Sequence, residues 1–112
     1  MKPEVINSYF NDFNKFVYEL DGLEFWFARD LQSLLGYLKW ENFLNILEKA
    51  KIACANSGIK TDDHFAYTAR AINMPNGGVK EVEDMFLTRY ACYLVAQNGD
   101  PGKEQVAFAM SY

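Results

Sequence analysis

Long apolar runs, clustered cysteines and a surplus of basic residues are all missing from this sequence. Each absence closes a class of function. No stretch approaches the roughly 18 consecutive apolar residues that a membrane-crossing helix needs. Residues 1–20 carry Lys2, Glu4, Asp12, Lys15 and Glu19 and lack an apolar h-region, which argues against export and for a cytoplasmic protein. The two cysteines, Cys54 and Cys92, stand far apart with no CxxC and no Cys/His cluster. They read as buried, reduced thiols, with a single disulfide as the lesser alternative. Eleven Lys plus Arg face 15 Asp plus Glu, a net charge of -4. A general nucleic-acid coat needs a basic face to displace counterions, so that role starts at a disadvantage. Repeats, low-complexity tracts and long linkers are absent as well.

What is present is a half-apolar chain of 112 residues with nine Phe, seven Tyr and two Trp. This is far from the signature of disorder and fits one domain spanning residues 1–112. Val5, Ile6, Tyr9, Phe10 and Phe13 recur at helical spacing after Pro3, which predicts a short amphipathic arm. Phe16–Leu20 and Leu23–Phe27 flank Asp21-Gly22, a dipeptide that accepts the positive φ angles of a type I′ turn, so a β-hairpin is expected, with the helical arm running on into this segment as the lesser alternative. Leu31, Leu34 and Leu35 then share one helical face, closed by Gly36. Trp40, Phe43, Leu44, Leu47, Ala50 and Cys54 mark a second helix ending near Ser57-Gly58.

Phe65, Tyr67, Ala69 and Ala71 alternate as a strand would, and the chain turns at Pro75–Gly78 before a partner strand from Val79. Thr88 is a candidate N-cap for a helix whose stripe of Leu87, Tyr90, Ala91, Leu94 and Val95 is widened by Cys92 and Tyr93, which predicts nearly complete burial. Asn98-Gly99 ends that helix, and Asp100-Pro101 opens another. The pattern still runs at Tyr112, with no Gly and no basic last turn, so the natural protein is expected to continue past this point. The aromatic excess and the apolar end near Tyr112 leave room for a homodimer.

Four sets of residues could carry chemistry. Asp62, Asp63 and His64, with Glu81, Glu83 and Asp84 downstream, contain the oxygen donors and base of a magnesium nuclease, but in no recognised ligand spacing; turn capping and packing are the favoured roles. Cys54 and Cys92 fall on apolar helix faces, where a thiol is inert. Lys39, Lys49, Lys51 and Lys60 stand against only Glu41 and Glu48, whereas earlier residues carry three cations against six carboxylates. They are candidate nucleic-acid contacts in a helix-turn-helix-like unit, with a plain solvated face favoured over that use. Arg29 and Arg89 lie at helix starts, where a cation opposes the macrodipole, so structural ion pairs with Asp30 and Asp84 are expected. Gly77-Gly78 and Gly99–Lys103 lack P-loop spacing. No catalytic residue, metal site or cofactor is assigned.

One set of motifs resembles a known family. Trp26-Phe27-Ala28-Arg29-Asp30-Leu31, Leu35-Gly36-Tyr37, Trp40-x-x-Phe43 and Ala50-Lys51-x-Ala53-Cys54 are followed by Ser57-Gly58, Asp63-His64-Phe65 and the long block Asp84-x-x-Leu87-Thr88-Arg89-Tyr90-Ala91-Cys92 through Pro101. In order and spacing they are similar to the N-terminal region of the DNA-damage-inducible protein D family of bacteria, over about residues 23–112. More distantly, they resemble the BRO-N domain of phage antirepressors. The resemblance implies an α+β fold, with two β-hairpins forming a small antiparallel sheet packed with four or five helices. It implies parent proteins about twice this length, no catalytic motif, and a role in the SOS response through a RecA-type recombinase or its filaments. Direct DNA binding is the alternative that BRO-N relatives suggest, and the acidic total favours a protein partner over it.

Overall fold

The computed structural model describes residues 11–100. The expected arm before residue 11 and the helix from Pro101 lie outside the described residues. Residues 11–15 are helical. There follow strands β1 (Tyr18–Leu20) and β2 (Leu23–Phe27), helices α1 (Ala28–Leu34) and α2 (Trp40–Asn56), a 3-10 turn (Thr61–Asp63), strands β3 (Phe65–Asn73) and β4 (Val79–Leu87), and helix α3 (Arg89–Gln97). The four strands form one antiparallel sheet in the order β1-β2-β4-β3. This is the α+β arrangement of two hairpins and helices that the motifs imply.

Local chemistry sets the element ends. Asp21 and Gly22 adopt φ of 53° and 81°, the pair of left-handed residues that joins β1 to β2 in register Leu20↔Leu23. The second hairpin closes where Met74 N donates to Gly78 O at 2.7 Å, with Gly77 at φ 87° and the Asn76 side chain accepting from Gly78 N. Helices α1 and α2 end alike. Tyr37 N donates to Gln32 O and Gly36 N to Ser33 O after α1; Ile59 N donates to Cys54 O and Gly58 N to Ala55 O after α2. Both are Schellman closures with glycine in the left-handed position.

The two hairpins meet along a short seam, Trp26↔Leu87 and Phe27↔Phe86. Strand pairing places Trp26, Leu87 and Phe65 side by side on one face of the sheet, with Met85 two residues along. Against that row pack Phe43, Leu47, Ala50 and Cys54 of α2 and Ala91, Cys92, Leu94 and Val95 of α3, all buried. Burying a side chain the size of Leu or Phe stabilises by about 1.5–3 kcal/mol, so this single layer between sheet and helices carries the fold. Trp26 is held further: its ring stacks on Phe13 at 4.4 Å and its Nε1–H donates to Phe13 O at 2.8 Å.

The expected near-complete burial of α3 is corrected, and the reading of the cysteines as buried thiols holds. Tyr93 is 44% exposed, so α3 keeps one open side; its hydroxyl accepts from Gln97 Nε2 one turn on. Both cysteines are free and buried, Cys54 inside the α2 packing and Cys92 inside that of α3, and burial raises the Cys92 thiol well above its ordinary range.

Candidate functional site

The most polar buried feature lies on the sheet face away from α2. Asp84 of β4 is fully buried. Helix α1 starts from Phe27, whose side chain cannot accept a hydrogen bond, so its amides lack a local cap. Asp84 supplies one from a distant strand: Oδ1 accepts from Arg29 N at 3.1 Å and from Met85 N at 2.8 Å. The other oxygen, Oδ2, makes no hydrogen bond and lies 3.6 Å from Arg70 Nη1. That same Nη1 donates to Asp30 Oδ1 at 3.2 Å. One guanidinium therefore bridges two carboxylates, tying β3, β4 and α1 together. Burial would lower the Arg70 pKa, but its hydrogen bond and charge interaction with Asp30 raise it overall, so the group stays cationic.

Beside this triad lies an aromatic cluster. Phe25 and Phe27 of β2 and Phe86 of β4 meet at centroid separations of 4.9–5.6 Å, and Tyr18 of β1 adds ring contacts at 5.0 and 5.6 Å. Arg70 sits 4.2 Å over the Phe27 ring, joining the two features. The outer margin is apolar and open: Tyr18 is 40%, Leu20 65% and Leu23 73% exposed. Chemically this face offers rings and, partly exposed beside them, the Arg70 guanidinium and the Asp30 carboxylate, with Asp84 buried beneath, a surface suited to contact with a macromolecule. Sequence reading named none of Arg70, Phe25 or Phe86 as site residues; only pairing across β2, β4 and β3 assembles them.

The expected ion pairs are re-partnered. Adjacent residues on a helix point about 100° apart, so Arg29 cannot face Asp30. Arg29 instead reaches β4, where Nε donates to Glu83 O at 2.7 Å, and lies 4.2 Å over the Trp40 ring. Asp30 and Asp84 take Arg70, which stands diagonally across from Asp84 on the same sheet face. Arg89 turns back to β2 and binds both oxygens of Glu24, at 2.8 and 3.2 Å, while lying over Trp26. The hydrogen bond from Arg89 holds the Glu24 carboxyl below its ordinary value.

The lysines do not form one stripe. Lys49 and Lys51 are separated by about 160° around α2 at 3.6 residues per turn. Lys49 is exposed, whereas Lys51 lies 4.7 Å over the Tyr67 ring of β3, and Tyr67 OH donates to Glu48 at 2.6 Å. That bond raises the Tyr67 pKa. Lys39 precedes the 17-residue helix and Lys60 follows it, roughly 25 Å away along the axis at 1.5 Å per residue.

Nor do the acidic residues gather. Asp62 and Asp63 are exposed in the 3-10 turn, and His64 Nδ1 pairs with Thr88 Oγ1 at 2.7 Å, with its ring edge-on to Tyr90. Thr88 also caps α3, accepting from Ala91 N at 3.1 Å. Among the described residues no group of three or more His, Cys, Asp or Glu side chains converges on a metal-sized site. No helix among them is long and apolar enough to cross a membrane.

Two hairpins seamed at Trp26 and Phe27, a helix pair and a helix capped by Thr88 define an α+β domain, and the chain belongs to the BRO family, as its N-terminal domain, which it matches over residues 15–110. Within that class it is similar to the DNA damage-inducible protein D of Escherichia coli (strain K12), with 44% identity over 92 residues. The match covers 82% of this chain and 34% of that protein, so the chain spans about a third of its relative's length, where the motifs had suggested about half. No solved structure matches.

Proposed function

We propose that this chain is a regulatory interaction domain of a DNA damage-inducible protein, acting by surface contact without catalysis, on a RecA-type recombinase or its filaments on DNA. The observation that carries the reading is the 44% identity to DNA damage-inducible protein D across most of the chain. The geometry supports contact over chemistry: Arg29, Arg70, Arg89, Asp30, Asp84 and Glu24 are each engaged in joining elements of the fold. The separation of Lys49 from Lys51 also weakens the case for direct DNA contact through α2, since phosphate neutralisation needs cations on one face.

The test is co-sedimentation with recombinase filaments assembled on single-stranded DNA. The full-length parent protein is expected to associate, more strongly than residues 1–112 alone. No association by either would overturn the reading. Retention on bare DNA that falls steeply with salt, and is lost in Lys49→Glu plus Lys51→Glu, would replace it with the DNA-binding alternative.

A further inference from the structure

The two edges of the sheet are unlike. β1 is three residues long and carries Glu19 at its centre, the short, charged form that blunts an edge against pairing. β3 is nine residues long and contains no proline, and its register against β4 runs one-to-one from Phe65↔Leu87 to Asn73↔Val79 without a bulge. Its single charged residue is Arg70, which is turned onto the aromatic face and held by Asp30 and Asp84. Apart from that one inward-pointing charge, the usual edge defences of lysine, proline, bulge and short length are absent from the strand.

Which backbone groups β3 leaves open follows from the ladder. Thr88 N donates to His64 O and Met74 N to Gly78 O, one at each end of the paired strands. In an antiparallel pair the bonded residues alternate, so Ala66, Thr68, Arg70 and Ile72 exchange bonds with β4. Phe65, Tyr67, Ala69, Ala71 and Asn73 then turn their N–H and C=O groups outward. Among the described residues their only hydrogen bond at this edge is a long one, 3.4 Å, from the Thr68 hydroxyl to Ala69 O.

We propose that the β3 edge pairs antiparallel with β3 of a second copy of the chain, about a two-fold axis at Ala69, to make one continuous eight-stranded sheet. The strand is self-complementary in that register. Outward-bonding residues meet outward-bonding residues: Ala69 faces its own mate, and Tyr67 and Ala71 face each other twice. Tyr67 meets Ala71 and Phe65 meets Asn73, so a smaller residue stands opposite each ring, and the alanines let the backbones close to ladder distance. Arg70 meets Thr68, so no like charges lie directly opposite. Shifting the axis one residue to Arg70 would oppose two guanidiniums, which disfavours it. Helix α2 reaches β3 through Tyr67, leaving the axis at Ala69 beyond its contact with the strand. The isologous contact is of the closed, two-fold kind that ends at a dimer.

The test is sedimentation equilibrium of the chain at concentrations up to about 0.5 mM, which covers weak, micromolar-to-millimolar association. A monomer–dimer equilibrium is expected. Ala69→Pro removes an outward N–H and leaves the β4 ladder intact, so it is expected to yield monomer with an unchanged circular dichroism spectrum. Ala69→Lys, which opposes two ammonium groups at the axis, does the same without touching the backbone and serves if the proline variant misfolds. Ala69→Cys is expected to form an interchain disulfide on mild oxidation, the two Cα atoms standing about 5.5 Å apart in a bonded pair. A wild-type chain that stays monomeric throughout would overturn the proposal. A dimer that survives both Ala69→Pro and Ala69→Lys would overturn it equally, by placing the contact elsewhere.

Discussion

The long hairpin of β3 and β4 is held in two different ways along its length. At its base, Phe65 and Leu87 pair across the ladder and are buried under α2 and α3, with Met85 alongside. At its tip, Val79 is 70% exposed, Ile72 36%, and Ala69, Ala71 and Asn73 lie open as well. The ladder is continuous through both halves. Hydrogen bonding is thus the same at both ends, and only burial differs. Since a ladder bond nets about 1 kcal/mol against water while apolar burial adds with area, the base is where the two strands help stabilise the domain. The tip is backbone structure extended past the core, with its edge groups open to a partner.

The comparison can be broken most forcefully at the base. Leu87→Ala removes a fully buried side chain at the seam of the two hairpins and is expected to cost about 2–5 kcal/mol by chemical denaturation. Val79→Ala at the tip should stay within about 0.5 kcal/mol in the same measurement. Equal losses at the two positions would show that the tip, too, is packed.

Next in size is Asp84→Ala. It leaves Arg29 N and Met85 N without their acceptor and removes one of the two carboxylates beside Arg70. A loss of about 1–3 kcal/mol is expected, with amide exchange fastest at the start of α1. Asp84→Asn keeps an acceptor oxygen and should recover part of that loss; a variant as stable as the original would remove Asp84 from the account of helix α1. Thr88→Ala deletes the cap of α3 and the partner of His64, for about 1 kcal/mol.

The smallest effect is pH dependence at the Glu24–Arg89 pair. Glu24 has its folded pKa lowered below the ordinary 4.5 by the hydrogen bond from Arg89. A carboxyl depressed on folding stabilises above its unfolded pKa and loses that contribution as pH falls through the folded value. Stability should therefore decline below about pH 4.5 slightly less steeply in Glu24→Gln than in the original chain. The pair is exposed, so the difference is small. Identical acid limbs in the two proteins would show that the pair contributes nothing measurable.

Several features were legible because a local cause suffices for them. Asp21-Gly22 admits the positive φ angles that few other pairs tolerate, Gly36 and Gly58 close their helices, and Thr88 carries its own cap. The α2 spacing of Phe43, Leu47, Ala50 and Cys54 gives a buried stripe wherever that helix docks. Other features have no local cause. Phe27 shows no capping chemistry, so nothing near α1 reveals that Asp84 caps it from far along the chain. Arg70 reads as an ordinary polar position in an alternating strand until β4 brings Asp84 and α1 brings Asp30 to it. Tyr93 sits in a stretch that looks apolar all round, and only the placement of α3 against one layer leaves it exposed.

Sequence by itself determined the elements, their turns, the glycine closures of α1 and α2, the Thr88 cap of α3, and the family, because those depend on residues within a few positions of one another and on motif order. Tertiary structure decided which hairpin edges meet at Trp26 and Leu87, which cation serves which carboxylate, and which side of β3 stays open. Each of these is a contact between residues distant in the chain. Charge and hydropathy constrain such contacts only once a backbone has brought the groups within a few ångströms.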